Sequence, residues 1–141
     1  MSRRLHRLSV RVYYEDTDFS GNVYHAAYLH FFERGRTEFL RSLGVHHSEL
    51  MKEGIAFAVR SMSIDFAAPA HIDDLLEVAT EVEGLSGARM SLSQTISRGD
   101  TVLTTARLVV VAIRQDGRPT RMPQAIRARF GAVDPPPESL S

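Results

Sequence analysis

Apolar and polar positions alternate at the start of the chain. Leu8, Val10 and Val12 stand against Ser9, Arg11 and Tyr13, the period-2 pattern of a half-buried strand. The stretch from Val10 to Tyr14 is β-rich, and an acidic turn, Glu15 to Asn22, follows it. Between Val23 and Leu43 the period becomes helical. Tyr28, Phe31, Phe32, Gly35, Phe39, Leu40 and Leu43 form one stripe at i, i+3, i+4, i+7, i+11, i+12 and i+15. A helix of that length spans about 30 Å, the width of a small domain. Gly44 stands where a left-handed C-terminal cap is expected.

The pattern then turns β-rich. His46 to Gly54 predicts a short helix with Ser48 as its N-cap and Gly54 as its stop. Ala56 to Phe66 alternates again and is ended or bent by Ala67-Ala68-Pro69. Leu75 to Val82 predicts a strand closed by Gly84 to Gly87. Arg89 to Ser97 and Thr101 to Arg114 predict two strands joined by Arg98-Gly99-Asp100. Gln115-Asp116-Gly117-Arg118 carries turn chemistry, and Pro123 to Gly131 predicts a short helix with proline in its first turn.

One strand, a long helix, a short helix and four strands predict an α+β domain with an antiparallel sheet on one helix. A single sheet covers a helix on one side only. A sheet with a β-branched row such as Val109 to Val111 also has an edge to hide, so a dimer is expected.

With 141 residues, the chain reads as one domain over 1–131, with a loose Pro-rich tail over 132–141. Lys plus Arg equals Asp plus Glu at 17 each, so no net field calls for nucleic acid or an anionic membrane. The absence of Cys excludes disulfides, thiolate nucleophiles and Cys-ligated zinc. The N-terminal MSRRLHRLSV lacks a signal-peptide apolar core, and no run approaches about 18 apolar residues. A cytoplasmic protein with no integral membrane segment is expected.

Asp16 and Asp18 lie in the turn that opens the long helix. The first amides of a helix have no internal acceptor and carry the positive end of its dipole. A carboxylate just upstream therefore faces donors able to hold a polarised carbonyl oxygen, as acyl transfer requires. Gly21 permits positive φ, and His25 falls in the first helical turn. The plainer reading makes Asp16 or Asp18 a helix cap and His25 a surface residue. Spacing alone leaves both open.

Asp16 to Gly21 also matches the opening of a calcium loop. Its twelfth position is Ala27 rather than glutamate, however, and a strand precedes it, so that reading fails. His25 and His30 point to different helix faces, and His46-His47 lacks a third ligand; no metal site is expected. Neither a G-x-S-x-G elbow nor a Gly-rich phosphate loop is present. Glu33 and Glu38 are expected to pair with Arg34, Arg36 or Arg41, or to act across a subunit contact.

The run from Arg11 to Arg41, R-V-Y-Y-E-D-T-D-x-x-G-x-V-Y-H-x-x-Y-L-x-F-F-E-R-x-R-T-E-x-L-R, resembles the 4-hydroxybenzoyl-CoA thioesterase class of acyl-CoA thioesterases, above all the Tol-Pal-associated YbgC type. The resemblance continues more loosely to about residue 130. It implies a hotdog fold: a long central helix wrapped by a curved five- or six-stranded antiparallel sheet. It further implies a homodimer, often a dimer of dimers (a homotetramer), with active sites at the dimer interface and no cofactor or metal.

By position, the family's catalytic carboxylate falls on Asp18. The amide that polarises the thioester carbonyl falls on His25, whose side chain also belongs to the site. Tyr14, Asp16 and Gly21 are supporting residues. Phe57, Val59 and Met62 are candidates to line the acyl pocket, and Arg89 to meet the CoA nucleotide. Family members usually carry small residues at Phe19 and Ser20, so Phe19 is expected to narrow the pocket.

The implied function is hydrolysis of a short-chain or aromatic acyl-CoA to free acid and CoA, with Asp18 as nucleophile or general base. The alternatives are a non-catalytic binder of acyl-CoA or acyl-carrier protein on the same fold, or a scaffold of an envelope complex.

Overall fold

The aromatic stripe becomes the buried face of helix α1 (His25–Ser42): Tyr28, Phe31, Phe32, Gly35, Phe39 and Leu40 are all buried in the computed structural model, with Ala27 added to the predicted set. The structure describes residues 5–130, so the predicted tail lies outside the described residues. At about 1.5–3 kcal/mol per fully buried side chain, Phe31, Phe32 and Phe39 together contribute roughly 5–9 kcal/mol, an upper estimate. That is comparable with the whole net stability of a domain.

What covers this face is one antiparallel sheet. Its strands are β1 (Leu5–Arg11), β2 (Ile55–Phe66), β3 (Leu75–Ser86), β4 (Arg89–Arg98) and β5 (Thr101–Arg114), and their spatial order is β1-β3-β4-β5-β2. Two short helices complete the described chain, α2 (His47–Lys52) and α3 (Gln124–Phe130). This is the expected α+β hotdog arrangement, with five strands among the described residues.

Two apolar clusters lie between helix and sheet. One gathers around Tyr28, Phe31 and Phe32, with Val10, Leu76 and Leu103. The other surrounds Phe39 and Leu40 and is closed by Ile126 and Phe130 of α3. At the crossing point sits a buried polar knot. Gln94 Nε2 donates to the Phe32 carbonyl (2.9 Å) and to Thr80 Oγ1 (2.8 Å), and Arg36 Nη1 donates to Gln94 Oε1 (3.1 Å).

Gly35 is the point of closest approach. A Cβ there would lie 2.7 Å from Val78 Cγ1 and 3.2 Å from Gln94 Nε2. Val78 is β-branched and cannot swing away. Gly35→Ala gains about 1 kcal/mol of helix propensity but sets it against roughly 1–3 kcal/mol of overpacking. We expect a net loss of about 1 kcal/mol in urea titration. An unchanged or raised midpoint would mean that the helix stands off the sheet.

Several boundaries differ from the sequence reading. β1 runs from Leu5 to Arg11, and Tyr14–Asp16 is a 3-10 turn instead of strand, because the Asp16 carboxylate captures the Tyr13 amide (2.8 Å) and bends the chain. α2 is capped at His46, which places Ser48 inside the helix. β3 continues to Ser86 through a register shift between Val82 and Gly84, so Gly84 marks a bulge and Gly87-Ala88 make the turn. Val109 to Val111 lie in β5, which is paired on both sides; the open edges belong to β1 and β2.

Candidate active site

Residues 17–23 form a closed loop immediately before α1. A bridge between Thr17 and Val23 clasps its ends, the Asp18 amide donates to the Asn22 carbonyl (2.8 Å), and the Gly21 amide donates to the Asp18 carbonyl (3.0 Å). Gly21 has φ +88°, where a Cβ would be strained although space is open: the nearest atom, Ile72 Cγ2, would lie at 3.8 Å.

The Asp18 carboxylate is divided in its duties. Oδ1 accepts hydrogen bonds from the Ser20 amide (2.9 Å), Ser20 Oγ (2.6 Å) and the Asn22 amide (3.2 Å). Oδ2 accepts none among the described residues. The Ser20 hydroxyl, opposed by desolvation and reinforced by the Ser20, Asn22 and Gly21 amides, holds the carboxyl below its ordinary value. Asp18 is therefore ionised at neutral pH, with one oxygen fixed and the other open.

The loop is stitched to a second one. The Val23 amide donates to the Ala70 carbonyl (2.9 Å), and the Ile72 amide donates to the Gly21 carbonyl (2.9 Å). That second loop is held by Asp74, which accepts from the His71 amide (2.9 Å) and from Arg98 Nη1 (2.8 Å). Between the loops opens a crevice of about 460 Å³, lined by Asp18, Asn22, Val23, Tyr24, His25, Tyr28 and Phe66 to Pro69.

The helix mouth faces this crevice without a side-chain cap. The Tyr24 amide donates to Asp16 O (3.3 Å) and the Ala27 amide to Tyr24 O (2.9 Å). The His25 and Ala26 amides between them find no acceptor among the described residues. The His25 ring stacks on Phe66, with centroids 4.6 Å apart. Uncapped amides, a helix dipole and a carboxylate with a free oxygen therefore share one opening.

The structure brings Asp18 and His25 together as expected. Asp16 and Tyr14 support the loop from behind: Asp16 caps the 3-10 turn, and the Tyr14 carbonyl accepts from Thr17 Oγ1 (2.8 Å). Phe19 is 102% exposed in the single chain and is not part of the crevice lining. Phe57 and Val59 line a separate cavity of about 220 Å³ with Glu33, Arg36, His47 and Met90, while Met62 packs against both core clusters. Burial pulls the Arg36 guanidinium below its ordinary value, and Glu33 opposes that shift. Arg89 begins β4 and is not part of the crevice lining. Sequence reading missed Tyr28, Ser20 and Phe66 as site residues. Tyr28 was absorbed into the apolar stripe, and Phe66 is distant along the chain.

Most of the chain is similar to known enzymes. The "Acyl-CoA thioester hydrolase YbgC" of Escherichia coli O6:H1 is 42% identical over 132 residues, covering 92% of this chain and 98% of that protein. The chain belongs to the YbgC-type acyl-CoA thioesterase family. The "Acyl-CoA thioesterase YbgC" of Haemophilus influenzae is 44% identical over 86% of this chain and 90% of its own. The wider thioesterase-like superfamily model matches residues 12–130. A probable thioesterase from Bartonella henselae, 46% identical, superposes with a TM-score of 0.80 over 84% of this chain and 99% of its own. The match of this YbgC-type chain begins at Val12, so the Asp18 loop and the helix mouth lie inside it.

Ser20 gives a test specific to this loop. Ser20→Ala removes the strongest contact depressing the Asp18 carboxyl, so the acid limb of kcat/KM is expected to move to higher pH. Activity above that limb should hold. An unmoved limb would mean that another group sets it.

Proposed function

We propose that this chain hydrolyses the thioester of short-chain or aromatic acyl-CoA substrates to free acid and CoA in the cytoplasm. The observation that carries this reading is the free Oδ2 of Asp18 beside the two unpartnered amides of the helix mouth, in one crevice.

On the general-base route, Oδ2 takes a proton from water as its oxygen attacks the thioester carbon. The carbonyl electrons move onto oxygen, and the His25 and Ala26 amides donate hydrogen bonds to the negative charge that forms there. Collapse expels the CoA thiolate, which takes the proton back from Asp18. On the nucleophilic route, Oδ2 attacks the thioester carbon, the C–S bond breaks to release the CoA thiolate, and water then cleaves the acyl–aspartyl anhydride to free acid and the Asp18 carboxylate. Each amide donor of this kind is worth about 3–4 kcal/mol in the transition state. The low basicity of Asp18 handicaps the first route more than the second, since proton transfer improves as the base pKa nears the working pH.

The cavity lined by Phe57 and Val59 is too far along the helix to receive an acyl group held at the mouth of the same chain: Glu33 is about 12 Å of helix beyond His25. It serves a second copy. β2 is an open edge with Val59 and Phe66 exposed at 45% and 42%. Antiparallel pairing of two β2 edges sets the Phe57–Val59 end of one copy beside the Phe66 end of the other, so the cavity of one extends the crevice of its neighbour. The active unit is thus a homodimer, and dimers pair further into a tetramer. Arg89 meets the nucleotide phosphates of CoA, for which a guanidinium is suited. Thiol release measured across acyl-CoA esters of graded length, with benzoyl-CoA included, tests the proposal. Binding without thiol release would leave only a carrier of such esters.

A further inference from the structure

Tyr28 has a hydroxyl whose hydrogen is unaccounted for. The residue is buried at 2% exposure, yet it lines the crevice with Asp18 and His25. Its Oη accepts the Ala70 amide hydrogen (3.0 Å), and Ala70 follows the 66–69 stretch that forms the opposite wall. Its ring meets Phe66 edge-on at 5.3 Å, the same ring on which His25 stacks. Helical side chains lean toward the N-terminus, so the Tyr28 ring lies over the turn that begins at His25. No acceptor for the Oη hydrogen occurs among the described residues. A buried donor without an acceptor is unfavourable, and buried polar atoms are nearly always paired.

We propose that Tyr28 supplies a third donor to the thioester carbonyl oxygen, beside the His25 and Ala26 amides, an inference that rests on the hydrolytic reading above. The Ala70 amide has a part in it. By donating to Oη it fixes the rotamer and polarises the phenol, strengthening the outward O–H in the manner of a hydrogen-bond chain. Tyr28 then touches the reacting oxygen, and its loss weakens the transition state more than the ground state.

The experiment separates donor from scaffold. Butyryl-CoA and benzoyl-CoA are the probes, assayed by thiol release with the full chain. Tyr28→Phe is expected to lower kcat by about a hundredfold with KM within threefold, as for loss of an oxyanion donor. Because it also removes the Ala70 acceptor, Tyr28 is replaced in parallel by 3-fluorotyrosine. Fluorination makes the phenol a better donor and a poorer acceptor, so kcat holds or rises if the donor role is real. It falls if Tyr28 only anchors Ala70, and that result overturns the proposal. The carbonyl stretch of ¹³C-labelled benzoyl-CoA bound to Asp18→Asn is expected at lower frequency than in the Asp18→Asn, Tyr28→Phe double variant. Equal frequencies likewise reject the donor. Absence of thiol release by the native chain with either ester rejects the hydrolytic reading itself, whereas an active native chain with an unimpaired Tyr28→Phe rejects the Tyr28 step alone.

Discussion

Asp18→Asn is expected to abolish thiol release, by a thousandfold or more, while leaving the fold intact. The estimate takes the upper range for a positioned acid or base, about 10²–10⁴, and adds the loss of any nucleophilic role. The amide keeps the shape of the carboxylate, and its oxygen can still accept from Ser20 and Asn22, so the loop retains its clasp. Asp18 is exposed in the single chain, and surface substitutions rarely move stability by more than about 0.5 kcal/mol. Unchanged circular dichroism and melting with a collapsed rate is therefore the expected pair of results.

Asp16 is the internal control, two residues away with a different task. Its carboxylate holds the Tyr13 amide and bends the chain into the 3-10 turn. Asp16→Ala should lose about 1 kcal/mol of stability, the scale of a helix cap, and keep activity within tenfold. If Asp18→Asn kept its rate within tenfold, or if Asp16→Ala proved the dead variant, the assignment of roles would fail.

That contrast also marks how far sequence alone could see. The helix was legible because its stripe repeats Tyr28, Phe31, Phe32, Gly35, Phe39 and Leu40 at one period, and a periodic pattern survives any error of one residue at its ends. The acidic loop was legible as chemistry because Asp18 lies in the turn that leads into a helix start, and the physics of helix ends needs no knowledge of the sheet. The edge of β1 was lost to a local side-chain contact, Asp16 to Tyr13, that overrode the β propensity of the two tyrosines.

The sheet order could not be read at all. Sequence gives strands in succession, but the placing of β2 beside β5 depends on contacts about fifty residues apart. For the same reason Val109 to Val111 read as an edge to be hidden when the open edges are β1 and β2. The functional role of Tyr28 was hidden by its own pattern: a tyrosine on an apolar stripe counts as core until the partner of its hydroxyl is known. Phe57 and Val59 carry the same lesson in reverse. Expected to line the acyl pocket, they line a cavity apart from Asp18 within a single chain.

Breaking the β2 edge is expected to have the other large effect. The strand is 12 residues long, with a register shift between Val59 and Ser61 that leaves Arg60 unpaired in the ladder. In a fully overlapped antiparallel pair, Ile55 of one copy faces Phe66 of the other, so Arg60 faces Ser61 and Ala58 faces Ser63. Ser61→Lys with Ser63→Lys adds four positive charges per dimer around the two arginines. Like charges directly opposed across strands each cost up to about 1 kcal/mol. Position 63 faces Ala58, so the two directly opposed pairs of a dimer, each a new lysine at 61 against Arg60, should together weaken pairing by up to about 2 kcal/mol, a rise in dimer Kd of up to about thirtyfold. Both serines are exposed in the single chain, so the protomer itself should fold normally. Sedimentation at nanomolar concentration should then show a monomer, with thiol release down at least tenfold and recovering as protein or salt is raised, since screening weakens the added repulsion. A monomer that turns over at the native rate would put the complete site within one chain and remove the role of the neighbouring Phe57–Val59 cavity.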